Sequence, residues 1–136
     1  MPLMEWTEDM SVGVKVIDDD HKKLIGMLNE LNDGIRADKT GASLESVIEG
    51  LLRYTKYHFA REERFFAKTG YPGGAAHKAE HDLLARRVGN LQMRFETGQS
   101  RILSTEAMEF LKNWLTDHIM GSDQQYGPHL NAKGIH

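Results

Sequence analysis

Polar side chains of the kind that bind metals interrupt the apolar helical faces of this chain, and they do so at helical spacing. Leu24, Ile25, Leu28, Leu31 and Ile35 recur at steps of three and four, the stripe of one helix, and His21 stands on it. His58 and Glu62 fall on a second stripe with Leu44, Val47, Ile48, Leu51, Thr55, Phe65 and Phe66. His77 and His81 open a third with Leu84, Val88, Leu91 and Phe95, and His118 closes a fourth with Ala107, Leu111, Trp114 and Leu115. The pairs His58/Glu62 and His77/His81 are spaced i, i+4, so both members project from one face a turn apart. A buried imidazole or carboxylate without a partner is costly, and several together demand one common explanation.

The same stripes predict an all-α fold. Helices are expected over about residues 18–37, 44–69, 75–97 and 104–121, joined by short connections, which implies an antiparallel up-down-up-down four-helix bundle. The 136 residues suffice for one sizeable core and not two, so a single domain is expected over 1–136. Residues 1–17, with Trp6 and β-branched Val12, Val14, Val16 and Ile17, lack helical periodicity and read as an arm. Asp18, Asp19 and Asp20 suit a helix start. Asp38, Lys39, Thr40 and Gly41 read as a turn, with Ser43 as the N-cap of the second helix. That helix stops at Gly70, Tyr71 and Pro72, where glycine can take the left-handed C′ position. Ser122 to His136 is expected to be a short tail across one end of the bundle.

Depth along the bundle is a second argument. His21 begins its helix, His58 and Glu62 lie late in theirs, His77 and His81 open the third, and His118 ends the fourth. In an up-down bundle those places share one end. His21 and His58 are 37 residues apart, as are His81 and His118, the length of one helix out and back. Asp123 follows His118 by five residues, off an α-helical face, and Gly121 between them is expected to let the chain leave the helix and fold the carboxylate inward. Five imidazoles and two carboxylates are too many for one ion and suit two. Donors of nitrogen and oxygen without sulfur favour iron, manganese or zinc. The carboxylates are the natural bridges. The third and fourth helices offer three histidines to one metal, the first and second offer two to the other, and that second metal keeps an open position.

Composition narrows the function. With no cysteine there are no disulfides, thiolate nucleophiles or iron–sulfur clusters. A formal charge of −3 with lysines scattered among carboxylates argues against a nucleic acid or anionic lipid as partner. No apolar run reaches the length of a membrane span, and the first residues lack the pattern of a signal peptide, so a cytoplasmic domain is expected. His129 and His136 lie outside any periodic stripe and read as solvent-facing. Phe65, Phe66, Trp114, Leu115 and Met27 read as core. A carboxylate among Asp18 to Asp20 is a candidate to orient His21 through its second ring nitrogen.

His21, His58-x-x-x-Glu62, His77-x-x-x-His81 and His118-x-x-x-x-Asp123 resemble, in order and spacing, the ligand set of the hemerythrin family. The Trp6 arm, Val12-Gly13-Val14, Ile17-Asp18, Gly70-Tyr71-Pro72 and Tyr126-Gly127-Pro128 resemble bacterial hemerythrins in particular. The resemblance implies two non-haem irons with an oxo or hydroxo bridge, His77, His81 and His118 on the saturated iron, His21 and His58 on the other, and Glu62 and Asp123 across both. It implies reversible binding of dioxygen at the open iron, with no catalytic residue and no organic cofactor. A dry pocket is then expected, with Leu24, Ile25, Leu115 and Ile119 as candidate lining. The sequence is also similar to hemerythrin domains at the C-terminal end of methyl-accepting chemotaxis receptors, which implies oxygen or redox sensing within an inner-membrane parent, where free-standing relatives carry or store oxygen.

Two enzymatic readings compete. His77-Lys78-Ala79-Glu80-His81 matches the H-x-x-E-H string of one class of zinc metalloproteases. Against it stand the short chain and four further ligands on other helices left unexplained. A di-iron oxidase or peroxidase is the other, although oxygen-activating bundles use Glu-x-x-His pairs and more carboxylate.

Overall fold

In the computed structural model, which describes residues 4–37, 42–96 and 100–136, every regular element among the described residues is helical. Helix α1 spans Lys15–Arg36, α2 Ala42–Thr69, α3 Gly74–Glu96 and α4 Ser100–Asp117. α1 packs against α2 and α4, and α3 against the same two, which closes the four into a bundle. No helix among the described residues is long and apolar enough to cross a membrane. The expected turn at Asp38 to Gly41, the Ser43 side chain and the end of the third helix beyond Glu96 lie outside the described residues.

Helix α1 begins at Lys15, ahead of the acidic run, because Val14 and Ile17 are fully buried and the Val14 carbonyl accepts from Ile17 N–H and Asp18 N–H. Burial overrides the weak helix propensity of β-branched residues. Asp18 then fastens the arm, accepting from Val12 N–H at 2.9 Å and from Ser11 Oγ–H at 2.6 Å. Further back the arm makes one short 3₁₀ turn at Glu8–Met10. Helix α2 ends as its sequence implies. Gly70 takes φ +65°, Tyr71 N–H reaches back to the Phe66 carbonyl at 3.1 Å, and the two rings pack 5.1 Å apart, a Schellman ending with its hydrophobic contact.

The tail differs from expectation. After α4 the chain stays helical but widens into a π-helical stretch, His118–Asp123, and then continues as α5, Gln124–Ala132. Gly121 neither breaks the helix nor takes a positive φ, and a Cβ there would meet nothing within 4 Å. The wider turn itself brings residues five apart onto one face, which solves the spacing of His118 and Asp123.

Two apolar clusters flank the polar end of the bundle. One joins Leu24, Ile25, Leu28, Leu51, Phe59, Leu84, Leu111, Leu115 and Ile119 along the bundle axis. The other joins Val12, Val14 and Ile17 of the arm region to Phe66, Tyr126 and Leu130. The tail is therefore a wall of the core.

Candidate metal centre

Between those clusters lie His21, His58, Glu62, His77, His81, His118 and Asp123, each at most 5% exposed. α1 supplies His21, α2 His58 and Glu62, α3 His77 and His81, and the π-helical stretch His118 and Asp123. All seven residues singled out from the sequence meet at one place. Their ligand atoms form two overlapping groups, Glu62 with His77, His81 and His118, and His21 with His58, Glu62 and Asp123, each within 4.8 Å. Glu62 belongs to both. Asp123 also faces both ways: Oδ2 lies 2.9 Å from His21 Nε2, while Oδ1 lies 2.9 Å from His77 Nε2 and from His118 Nε2. Glu62 Oε1 is 3.1 Å from His58 Nε2 and 3.3 Å from His81 Nε2, and Oε2 is 3.6 Å from His77 Nε2.

Proximity here does not amount to satisfaction. Both oxygens of Glu62 and of Asp123, both nitrogens of His21, and Nε2 of His58 and of His77 are buried without a hydrogen-bond partner. Orphaned buried groups of this number are rare in native proteins, and each calls for a reason. Nitrogen and oxygen lone pairs converging on two points, with no sulfur, suit two borderline or hard divalent ions. The residues present thus fit a pair of metals.

The charge balance without metal leads to the same place. Burial pushes the His58 imidazolium down, but Glu62 and the bond to Asp20 outweigh it and raise the pKa to about 10. Burial likewise opposes the charge on His77, and Asp123 and Glu62 raise it to about 9. Burial would lift Glu62, yet the charge of His58 and the neighbouring imidazoles hold it well below the usual carboxylate range. For Asp123, burial and Glu62 push upward, and His118, His21 and His77 prevail and hold it low. Protons on His58 and His77 occupy the electrostatic role of cations.

The remote ring nitrogens have partners the sequence did not assign. Asp20 binds His58 Nδ1 at 2.9 Å rather than orienting His21, whose Nδ1 has none. Glu63 lies 3.2 Å from His81 Nδ1 and Glu80 3.1 Å from His118 Nδ1. Glu80 is therefore turned to a neighbouring helix and away from the space between His77 and His81, where the H-x-x-E-H reading needs it. Phe59 stacks on His81 with centroids 3.6 Å apart and Trp114 on His118 at 4.2 Å, so two apolar residues also fix ligand rings. His129 is half-buried, with Nε2 3.1 Å from the Thr69 carbonyl, which corrects the solvent-facing assignment, whereas His136 is exposed.

An apolar pocket reaches the centre. It is lined by Leu24, Leu28, Leu51, Phe59, Leu84, Leu111, Trp114 and Leu115 together with Thr55, His21, His58, His118 and Asp123. Leu24 and Leu115 line it as expected. Ile25 and Ile119 are buried in the surrounding cluster but not in the lining.

Comparison with known proteins agrees with this geometry. The family model described as the hemerythrin HHE cation binding domain matches residues 12–130. The chain is 37% identical over 132 residues to a bacteriohemerythrin of Stenotrophomonas maltophilia, covering 97% of this chain and 84% of that protein. It is 36% identical to a bacteriohemerythrin of Methylococcus capsulatus, covering 97% of this chain and 100% of the relative. Among solved structures it is similar to a wild-type hemerythrin, with a TM-score of 0.82 and 35% identity over 94% of this chain and 98% of the other. A hemerythrin variant with one leucine replaced by alanine superposes with a TM-score of 0.84 at 34% identity, over 96% of this chain and 98% of the other.

Proposed function

From the premise that this chain belongs to the hemerythrin family, we propose that it binds dioxygen reversibly at two non-haem irons. His77, His81 and His118 would hold one iron, His21 and His58 the other, and Glu62 and Asp123 would span both. The observation that carries the reading is the pair of buried donor groups that share Glu62 and are straddled by Asp123. When bound, the iron pair supplies the electrons and the open coordination position that dioxygen requires.

The chain's own residues set the conditions. Three histidines on one side and two on the other leave the His21/His58 side one donor short, and the apolar pocket is lined by both of those histidines as well as by His118. Leu24, Leu28, Leu51, Leu111 and Leu115 keep bulk water from that side, which suppresses proton leakage into the site. Phe59 and Trp114 hold the three-histidine side rigid through stacking. Such a pocket admits a small apolar gas and excludes peptide substrates, which weighs against the protease reading, while the histidine-rich donor set favours reversible binding over an oxidase or peroxidase. Carriage, storage and sensing all draw on this one activity.

Iron counted per chain, together with optical spectra recorded anaerobically, in air and after removal of oxygen, tests the proposal. Two irons and a charge-transfer band that appears with oxygen and disappears without it are expected. One iron per chain, or a two-iron protein indifferent to oxygen, would overturn it.

A further inference from the structure

The three carboxylates on remote ring nitrogens are unequal. Asp20 is enclosed, its side chain 4% exposed, whereas those of Glu63 and Glu80 are 31% and 48% exposed. Asp20 extends from α1 to three donors on one stripe of α2: Tyr54 Oη at 2.7 Å, His58 Nδ1 at 2.9 Å and Arg61 Nη1 at 3.5 Å. An ionised carboxylate only accepts hydrogen bonds. His58 therefore carries its proton on Nδ1 once it is neutral, and the lone pair on Nε2 faces the centre, 3.1 Å from Glu62 Oε1. His21, the other histidine of the same group, has no acceptor at its Nδ1. On the opposite side His81 and His118 each face a carboxylate, but water screens both.

We infer that Asp20 is a positioning residue for His58, fixing its tautomer and ring orientation and thereby setting the metal affinity of the two-histidine position independently of the three-histidine position. The inference rests on the two-metal reading above. A carboxylate bonded to the far nitrogen of a metal-bound imidazole locks the ring and raises its basicity, and loss of such a partner typically weakens metal binding about 10- to 100-fold. Burial makes this influence strong at His58, while solvent keeps that of Glu80 small. The hydrogen bond from Tyr54 and the ion pair with Arg61 keep Asp20 ionised and immobile between the two helices, so that its orientation is imposed by the bundle.

Cobalt(II) titration of the full-length, metal-free chain, followed optically, is the test. The parent should take up two equivalents. Asp20→Asn, which preserves size, should bind one equivalent as the parent does and the other about 10- to 100-fold more weakly. Glu80→Gln should leave both within about threefold. Proton NMR of the zinc-loaded parent should show a slowly exchanging His58 Nδ1–H that is lost or shifted in Asp20→Asn and retained in Glu80→Gln. Circular dichroism and thermal melting of the metal-free variants separate a folding defect from a site effect, since a folding defect weakens both equivalents. Fewer than two equivalents in the parent would sink the two-metal reading. Two in the parent with equal losses at both positions, equal losses in Asp20→Asn and Glu80→Gln, or no loss in Asp20→Asn would overturn the role of Asp20.

Discussion

Replacing Gly127 by alanine probes the joint between tail and arm. A Cβ at that position would lie 3.1 Å from the Val12 carbonyl carbon and nearer still to its oxygen. The obstacle is backbone, and it is held in place because Val12 N–H is bonded to Asp18 and the Val12 side chain is buried. No rotamer change relieves the overlap, so α5 or the arm must move. Overpacking costs about 1–3 kcal/mol, and a backbone obstacle places this case toward the upper end. Alanine recovers about 0.5–1 kcal/mol of helix propensity, which leaves a net loss of about 2 kcal/mol. Gly26→Ala supplies the control: Gly26 is exposed within α1, and a Cβ there meets nothing within 4 Å, so only the propensity gain applies. Urea unfolding of the metal-free variants should therefore separate the two by about 2.5–3 kcal/mol at similar m-values. Gly127→Ala should also lower iron content, because Asp123 lies one turn before it on the same helical rod. The reasoning is refuted if the two variants differ in stability by less than about 0.5 kcal/mol, the ordinary scatter of surface substitutions.

The remaining predictions concern charge and the tail. His58 and His77 are raised above 6.5 when folded, so their contribution to metal-free stability is complete below about pH 6.5 and lost as pH rises through 9 and 10. Glu62 and Asp123 are lowered, so theirs is present above the ordinary carboxyl values of 4.5 and 3.8 and lost as pH falls. Urea midpoints of the metal-free protein should accordingly peak between about pH 5 and 6.5, and a midpoint still rising at pH 9 would contradict the assignment. Because ligating imidazoles are neutral, metal uptake at pH 7 should release the protons of both histidines, detectable with a pH indicator. His129→Ala should cost about 1 kcal/mol in urea unfolding through the lost bond to Thr69, with iron content unchanged.

The bundle and all seven ligand candidates were legible because helix periodicity is strong over long stripes and because a polar residue on such a stripe stands out against its neighbours. What escaped depends on contacts between elements. Asp20 precedes His21 directly, which suggests a local pairing. Adjacent helical residues point about 100° apart, however, and the carboxylate reaches α2 instead. Glu63 and Glu80 sit among other surface carboxylates, with nothing in their spacing to reveal a histidine on a neighbouring helix. Ser122 to His136 read as a short tail across one end of the bundle, whereas the helix runs on to Ala132 and Gly127 is there for the close approach of Val12. Gly121 suggested a break, and the chain instead widened its turn without using the glycine's freedom. Trp114 read as core and Phe59 was not singled out, and neither was legible as a ring support, since stacking geometry leaves no mark on periodicity.

The π-helical stretch also governs which changes of length the chain can survive. A π turn holds one residue more than the α turn it replaces, and residues on either side keep their phase only while that surplus is present. Deleting any single residue between His118 and Asp123 would let the rod close into a continuous α-helix. The spacing would become the i, i+4 of the other pairs, so Asp123 would still share the face of His118. The rod beyond would then be shortened and rotated, and Tyr126, Gly127 and Leu130 would lose their fit to the arm. An insertion there would have the opposite result, turning Asp123 away from both donor groups. Lineages of this domain should thus hold the count between His118 and Tyr126 fixed.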